Sequence, residues 1–331
     1  MTLPSPLPLP LRSPMPLHRR VPKLPSLLAL LAGSMLLYLA VFSVVQRPLT
    51  VGEVARQLDT RLQFAQQLRS PKLVIFAGSN GRYSHHCATL AAPLGMPCVN
   101  ASIGVGIGLD FQLDAWLDHL HAGDLFYMPL EYGQYRSTQA DMQAGLQNAL
   151  LVHHWPGRLW ALPPERIVRA LASFDVSSLI QGLAEMGLQA AGVSRRGGSI
   201  GHTLQGDARA HELAAALPYA AFLRSARAEP TSVPAQSHAL AVLGRFLDAA
   251  QARGVRVVGG LPTVPDTVTV EPADVDALRR FYTRHGHGFL ALPNLSRHPL
   301  GCFYDTLYHL VQECQQAHSA AVGQALRALT R

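Results

Sequence analysis

Residues 72–77 read Lys-Leu-Val-Ile-Phe-Ala and stop at Gly78. A strand with one wet face alternates apolar and polar residues, whereas a strand covered on both faces is apolar throughout. This run therefore demands a sheet with helices on both sides. A second such run, Gly-Val-Arg-Val-Val-Gly, occupies 254–259. Shorter strands are expected at 97–100, 124–128 and 288–292. Helices are expected at 84–95, 109–120, 237–252 and 274–283, with a terminal helix over 307–329. Strands alternating with helices specify an α/β fold, a doubly wound parallel sheet, in which sites lie beyond the carboxyl ends of the strands. Between 136 and 235 the rhythm is lost. That stretch reads as a helical insertion with a mobile Gly-rich loop at 191–206, serving as a lid or a partner surface.

Residues 27–45 carry no charge. As a helix they would measure roughly 28 Å at about 1.5 Å per residue, close to a hydrocarbon core of about 30 Å. A single-pass anchor, a cleaved signal and a buried core helix compete for the segment. The anchor is preferred, because no Ala-x-Ala site follows and the run exceeds a signal core. His18, Arg19, Arg20 and Lys23 precede it, so the positive-inside rule keeps the N-terminus cytoplasmic and exports the rest. The expected order is a Pro-rich cytoplasmic tail (1–26), a transmembrane anchor (27–45), a linker helix (46–70) and an α/β domain (71–331) in the periplasm, with the lipid bilayer as a partner.

The net charge of +7 is mostly local to this region: five of the 28 Lys and Arg lie in residues 1–47 with no acid among them. The remainder is nearly balanced and shows no basic stripe interleaved with aromatics, which argues against nucleic acid as a partner. The four cysteines, 87, 98, 302 and 314, all fall in the exported part. Oxidising compartments permit disulfides, and a Cys87–Cys98 bridge is plausible beside the alternative of buried free thiols. No C-x-x-C exists for a metal. The 15 histidines do not supply one either: His119 and His121 cannot share a helix face, and His285 and His287 sit in a Gly-containing turn. No cofactor is expected, since 104–108 lacks the G-x-G-x-x-G order and the Lys-Ser/Thr end of a phosphate loop.

Chemistry is suggested at two places. Gly78-Ser79-Asn80-Gly81 follows the first buried strand, where a serine projects from the sheet edge and the next backbone N–H groups can face an oxyanion. Taken alone it is equally a strand-to-helix turn. Asp305 and His309 are four apart near the other end, and on the first turn of a helix they would share a face, so the carboxylate can hold the ring while the other nitrogen reaches a serine. Taken alone, that spacing is common. Glu131 reads as a general acid or, preferably, as a solvated loop carboxylate capping a neighbour, and His85 and His86 as packing residues in preference to substrate contacts.

With Gly78-Ser79-Asn80 after the first strand, Asn100-Ala101-Ser102-Ile103-Gly104 after the second, and Asp305 to His309 near the end, the chain resembles the SGNH hydrolase superfamily. Within it, the likeness is to membrane-anchored, exported members that work in O-acylation of polysaccharides. The resemblance covers 70–135 and 250–325. It implies a flavodoxin-like sheet order, Ser79 as nucleophile, His309 as base, Asp305 as its orienter, and backbone oxyanion donors at Ser79 and Gly104. It also implies a polysaccharide substrate and a membrane-bound, acyl-carrying acyltransferase as partner. Two departures stand out. Three residues rather than two separate Asp305 from His309, and the third block has Pro129-Leu130-Glu131-Tyr132 in place of an Asn donor, a part Asn80 would have to take. The expected function is a serine esterase or O-acyltransferase on an exported polymer, against a non-catalytic, polymer-binding scaffold.

Overall fold

The computed structural model describes residues 24–104, 106–143, 145–193 and 201–330. Most of the Pro-rich tail and the centre of the Gly-rich loop thus lie outside the described residues. The chain divides into two units, Met1–Val44 and Val45–Arg331. In the first, helix α1 (Leu24–Val44) has 21 residues and a mean hydropathy of 2.3, long and apolar enough to cross a membrane.

The second unit opens with α2 (Val51–Gln67) and continues with strand β1 (Leu73–Ile75), α3 (Ser79–Ser84), α4 (Cys87–Ala91), β2 (Cys98–Asn100), α5 (Leu109–Leu117), β3 (Leu125–Met128) and α6 (Tyr132–Arg136). An all-helical insertion follows: α7 (Gln139–Met142), α8 (Gly145–His153), α9 (Pro156–Trp160), α10 (Pro164–Leu171), α11 (Val176–Ala190), α12 (Leu213–Ala216) and α13 (Ala220–Ser225). The β/α rhythm then resumes with α14 (His238–Ala252), β4 (Arg256–Gly260), a short β5 (Val264–Pro265), α15 (Pro272–Arg284), β6 (Gly288–Leu290), β7 (Arg297–His298) and α16 (Gln312–Thr330).

Five strands form one parallel sheet in the order β2-β1-β3-β4-β6, with β5 and β7 paired apart from it. Alternation along each strand feeds two cores. Val74, Val99, Phe126 and Val257 point to one face, under α2, α5, α14 and α15. Leu73, Ile75, Leu125 and Tyr127 point to the other, where Leu90 of α4 and Val322 and Leu326 of α16 cover them. This double coverage is why β1 has no polar residue. At the amino ends of the strands, buried Lys72 meets buried Asp124 at 2.6 Å, and the same carboxylate accepts the Lys72 N–H at 2.9 Å. The carboxyl ends are left for the site, and the order reverses at β1, so the loop after β1 occupies the crevice where such sheets bind ligands.

Two expectations about boundaries need correction. The helix after β1 begins at Ser79 itself and not near residue 84. The last helix begins at Gln312, five residues later than expected, because residues 303–310 are held in a tight loop by a Phe303–Leu310 bridge and a bond from the Tyr304 N–H to the His309 carbonyl at 2.8 Å. Linker helix α2 is built into the core, with Val51, Ala55, Leu58 and Ala65 all buried. Cys87 is bonded to Cys98 and Cys302 to Cys314, each pair with Cα atoms 5.7 Å apart. Disulfides persist in oxidising compartments. With an N-terminal apolar helix, signal or anchor, they argue for an extracytoplasmic location.

Candidate active site

Ser79 is the first residue of α3, directly beyond the carboxyl end of β1. Its hydroxyl lies 2.9 Å from His309 Nε2, and His309 Nδ1 lies 2.6 Å from Asp305 Oδ1. Residues 230 positions apart thus form a continuous hydroxyl–imidazole–carboxylate relay with the heavy-atom spacing that proton transfer needs. The expectation that Asp305 and His309 share a helix face is corrected: both sit in the loop before α16. The reversal of the chain between Phe303 and Leu310 folds the carboxylate back onto the ring, so three intervening residues suffice without a helical turn. Cys302–Cys314 closes that loop at its base. At its other side the Tyr308 carbonyl accepts from Ser84 Oγ at 2.9 Å and from Thr263 Oγ1 at 2.8 Å, tying it to α3 and to the end of β4.

The imidazole is further fixed by Tyr83, whose ring stacks on it with centroids 4.0 Å apart and planes 10° from parallel. Tyr83 follows Ser79 by four residues, so the spacing already placed both on one helical face, a signal the sequence reading passed over. Burial lowers the His309 pKa from its ordinary value; the bond to Asp305 and its charge oppose this, and Arg82 adds to it. The net effect favours the neutral ring.

The second block is a scaffold for this turn. The Asn100 side chain donates to the Gly81 carbonyl at 3.0 Å and the His85 carbonyl at 3.2 Å, and Ser102 Oγ accepts the Ala77 N–H at 3.0 Å. A Cβ on Gly81 would collide with Ser102 Oγ, so this glycine is required for close packing of α3 on the β2 loop, not for a special backbone conformation. Part of the insertion returns here. Asp207, 1% exposed, accepts from Asn100 Nδ2 at 2.9 Å and from the Cys87 N–H at 3.1 Å. Buried Arg61 of α2 donates to the carbonyls of Ser102 and Gly206. Neither residue had a local motif to reveal it.

The oxyanion candidates are distributed unevenly. Among the described residues the N–H groups of Ser79 and Gly104 have no partner, which leaves both able to donate. Asn80 is fully buried; its side-chain amine donates to the Pro129 carbonyl at 2.8 Å and its N–H to Glu131 Oε1 at 3.2 Å. Glu131 caps a neighbour as expected, standing at the N-cap of α6 in a capping box with Gln134, but it is not solvated. It is 7% exposed, and burial raises its pKa to about 7 against the lowering effect of the Asn80 N–H, with Glu229 adding to the rise. His85 is buried packing, edge-on to Tyr127, and burial depresses its pKa to about 3. His86 N-caps α4, where its ring accepts the Thr89 N–H. Among the described residues no group of three or more His, Cys, Asp or Glu is arranged to hold a metal ion.

A cleft of about 620 Å³ is lined by Leu307, from the same loop as Asp305 and His309, together with Glu229, Thr231, Thr269 and Asp274, but by none of Ser79, Asp305 or His309.

No family model and no curated protein matches the chain. Among solved structures, protein YxiM of Bacillus subtilis aligns with a TM-score of 0.39 and 10% identity over 80% of this chain and 58% of that one. The chain thus spans less than two thirds of that protein, and a likeness of this size says nothing about chemistry.

Proposed function

We propose that this chain is a serine-dependent esterase or O-acyltransferase that works through an acyl-enzyme on Ser79. The observation that carries the reading is the relay itself, Ser79 Oγ to His309 Nε2 at 2.9 Å and His309 Nδ1 to Asp305 at 2.6 Å. A hydroxyl within reach of a base that a third group orients is the arrangement that activates a serine as a nucleophile.

In this reading Ser79 Oγ attacks the ester carbonyl while His309 Nε2 takes its proton, and Asp305 holds the Nδ1 tautomer and the charge that forms. The carbonyl oxygen, now anionic, accepts from the Ser79 N–H, with Gly104 as second donor by the SGNH resemblance. Collapse expels the alcohol, which leaves with the proton from His309. A second hydroxyl, from water or a sugar, then gives its proton to His309 and takes the acyl group, freeing Ser79. The cleft beside the catalytic loop, bordered by hydroxyl and carboxylate side chains, suits a hydroxyl-rich acceptor such as an exported polysaccharide. An acyl-carrying membrane partner would supply the donor.

One observation favours a second reading. The Asn80 N–H and one N–H of its side-chain amide are engaged by Glu131 and Pro129, and loss of one oxyanion donor costs about 2.7 to 4 kcal/mol of transition-state stabilisation. A polymer-binding scaffold with a vestigial site would tolerate that. The two are separated by incubating the full chain in detergent with a fluorophosphonate and with p-nitrophenyl acetate. Covalent labelling at Ser79, with turnover lost in Ser79→Ala, supports the enzyme. Absence of labelling together with equal rates for the two chains would leave the scaffold.

A further inference from the structure

Helix α11 carries one charged residue in 15, Glu185. Val176, Ile180 and Leu183 lie at i, i+4 and i+7, on one stripe of the helix, and are 71%, 62% and 54% exposed. Ala184 and Gly187 extend the same exposed stripe. Surface helices normally bury such a stripe, and among the described residues of the domain nothing covers it.

The opposite flank is anchored. Glu185 accepts from Arg47 Nε at 3.1 Å, from the N–H groups of Leu49 and Thr50 at 3.0 and 2.9 Å, and from Thr50 Oγ1 at 2.6 Å. Gly182 lies so close to Val45 and the Gln46 carbonyl that any side chain there would collide with them. The sole carboxylate of α11 and its buried glycine therefore clamp the helix to residues 45–50. Val45 is the residue that follows the apolar helix Leu24–Val44 in the chain. If that helix spans a bilayer, residues 45–50 extend at most about 20 Å from its end at roughly 3.5 Å each. A helix clamped to their first residues is held at the membrane surface by connectivity alone.

We infer that the exposed stripe of α11 lies in the extracytoplasmic interface of the bilayer, with Val176, Ile180 and Leu183 among the upper acyl chains. Occupancy by lipid follows from the combination: an uncharged stripe, polar groups only on the flanks, and a tether that starts at the end of the span. Interfacial helices lay an apolar face of this kind at the boundary of headgroups and acyl chains, and here the tether, not a basic polar face, supplies the hold on the membrane. The inference rests on α1 being a membrane anchor and is independent of the chemistry at Ser79.

The test uses the full chain reconstituted in lipid vesicles, where copies are free to meet. All four native cysteines are in disulfides, so a single introduced cysteine takes a nitroxide label. Ile180→Cys and Leu183→Cys are compared with Arg280→Cys, an exposed position on α15 beside the β6 edge, each checked to melt as the parent does. The expected result is a collision ratio, oxygen over a water-soluble nickel chelate, several-fold higher at 180 and 183 than at 280, with a depth at the level of the upper acyl chains. Equal ratios at all three positions would overturn the inference. So would protection accompanied by spin–spin broadening that vanishes on dilution with unlabelled chain, which assigns the stripe to a second copy. A depth near the bilayer centre would overturn it too, in favour of a re-entrant helix pair.

Discussion

Replacing Glu131 by Gln removes a charge and keeps the shape, and it separates the serine mechanism from a merely plausible geometry. The carboxyl is 7% exposed, accepts the Asn80 N–H at 3.2 Å, and is raised by burial to a pKa of about 7. It therefore passes from neutral to anionic across the neutral range. The Ser79 and Asn80 N–H groups are successive amides, so an oxyanion on the first stands on the order of 5 Å from the carboxylate on the second. At an effective dielectric of about 20, two unit charges at that separation repel by roughly 3 kcal/mol. Ionised Glu131 thus lowers the rate by about two orders of magnitude. On the acid side His309 must be neutral, and burial holds its pKa below the ordinary 6.5. The expected profile of kcat/KM for p-nitrophenyl acetate, corrected by the Ser79→Ala chain, is a narrow bell that rises below pH 6.5 and falls about pH 7. Glu131→Gln keeps the rise and abolishes the fall. A falling limb that survives in the Gln chain, or a parent profile flat from neutral to alkaline pH, would refute the reasoning.

The same substitution has a stability readout. A carboxyl whose pKa goes from 4.5 unfolded to about 7 folded favours the protonated native state. That contribution is fully present below pH 4.5 and is lost as pH rises through about 7, by about 3 kcal/mol in all. In Glu131→Gln this part of the decline in melting temperature with rising pH disappears.

Three further outcomes follow from the site. Asp305→Asn, at a side chain 27% exposed, leaves stability nearly unchanged but presents an amine to His309 Nδ1 and reverses the tautomer, so kcat falls by about 10³- to 10⁴-fold; turnover and a thermal melt together check it. Replacing Cys302 and Cys314 with Ser opens a loop of 12 residues' separation that contains the catalytic pair. It costs about 3 kcal/mol by loop-closure entropy, read as a lower denaturant midpoint, and ester turnover falls as the loop loosens. Gly81→Ala drives a methyl group into Ser102 Oγ and destabilises by about 1 to 3 kcal/mol, and the double variant with Ser102→Gly is more stable than Gly81→Ala alone.

The sequence by itself determined the parallel sheet, because uninterrupted apolar runs such as 73–77 read as strands buried on both faces and alternate along the chain with amphipathic helical stretches. The apolar segment before residue 45 was equally legible, since its length and lack of charge are local properties. Ser79 at a strand end and Asp305 four before His309 were also visible, but as two separate, weak patterns. Only the tertiary structure decided that they meet, because that depends on the order β2-β1-β3-β4-β6 and on a cross-linked loop in place of a helical turn. The same holds for Glu131. Whether a carboxylate titrates near 4 or near 7 is set first by how much water the fold excludes, and then by partners such as the Asn80 N–H and the Glu229 charge, which come from distant parts of the chain. Local chemistry is written in the order of residues, but desolvation and juxtaposition are properties of the packed molecule.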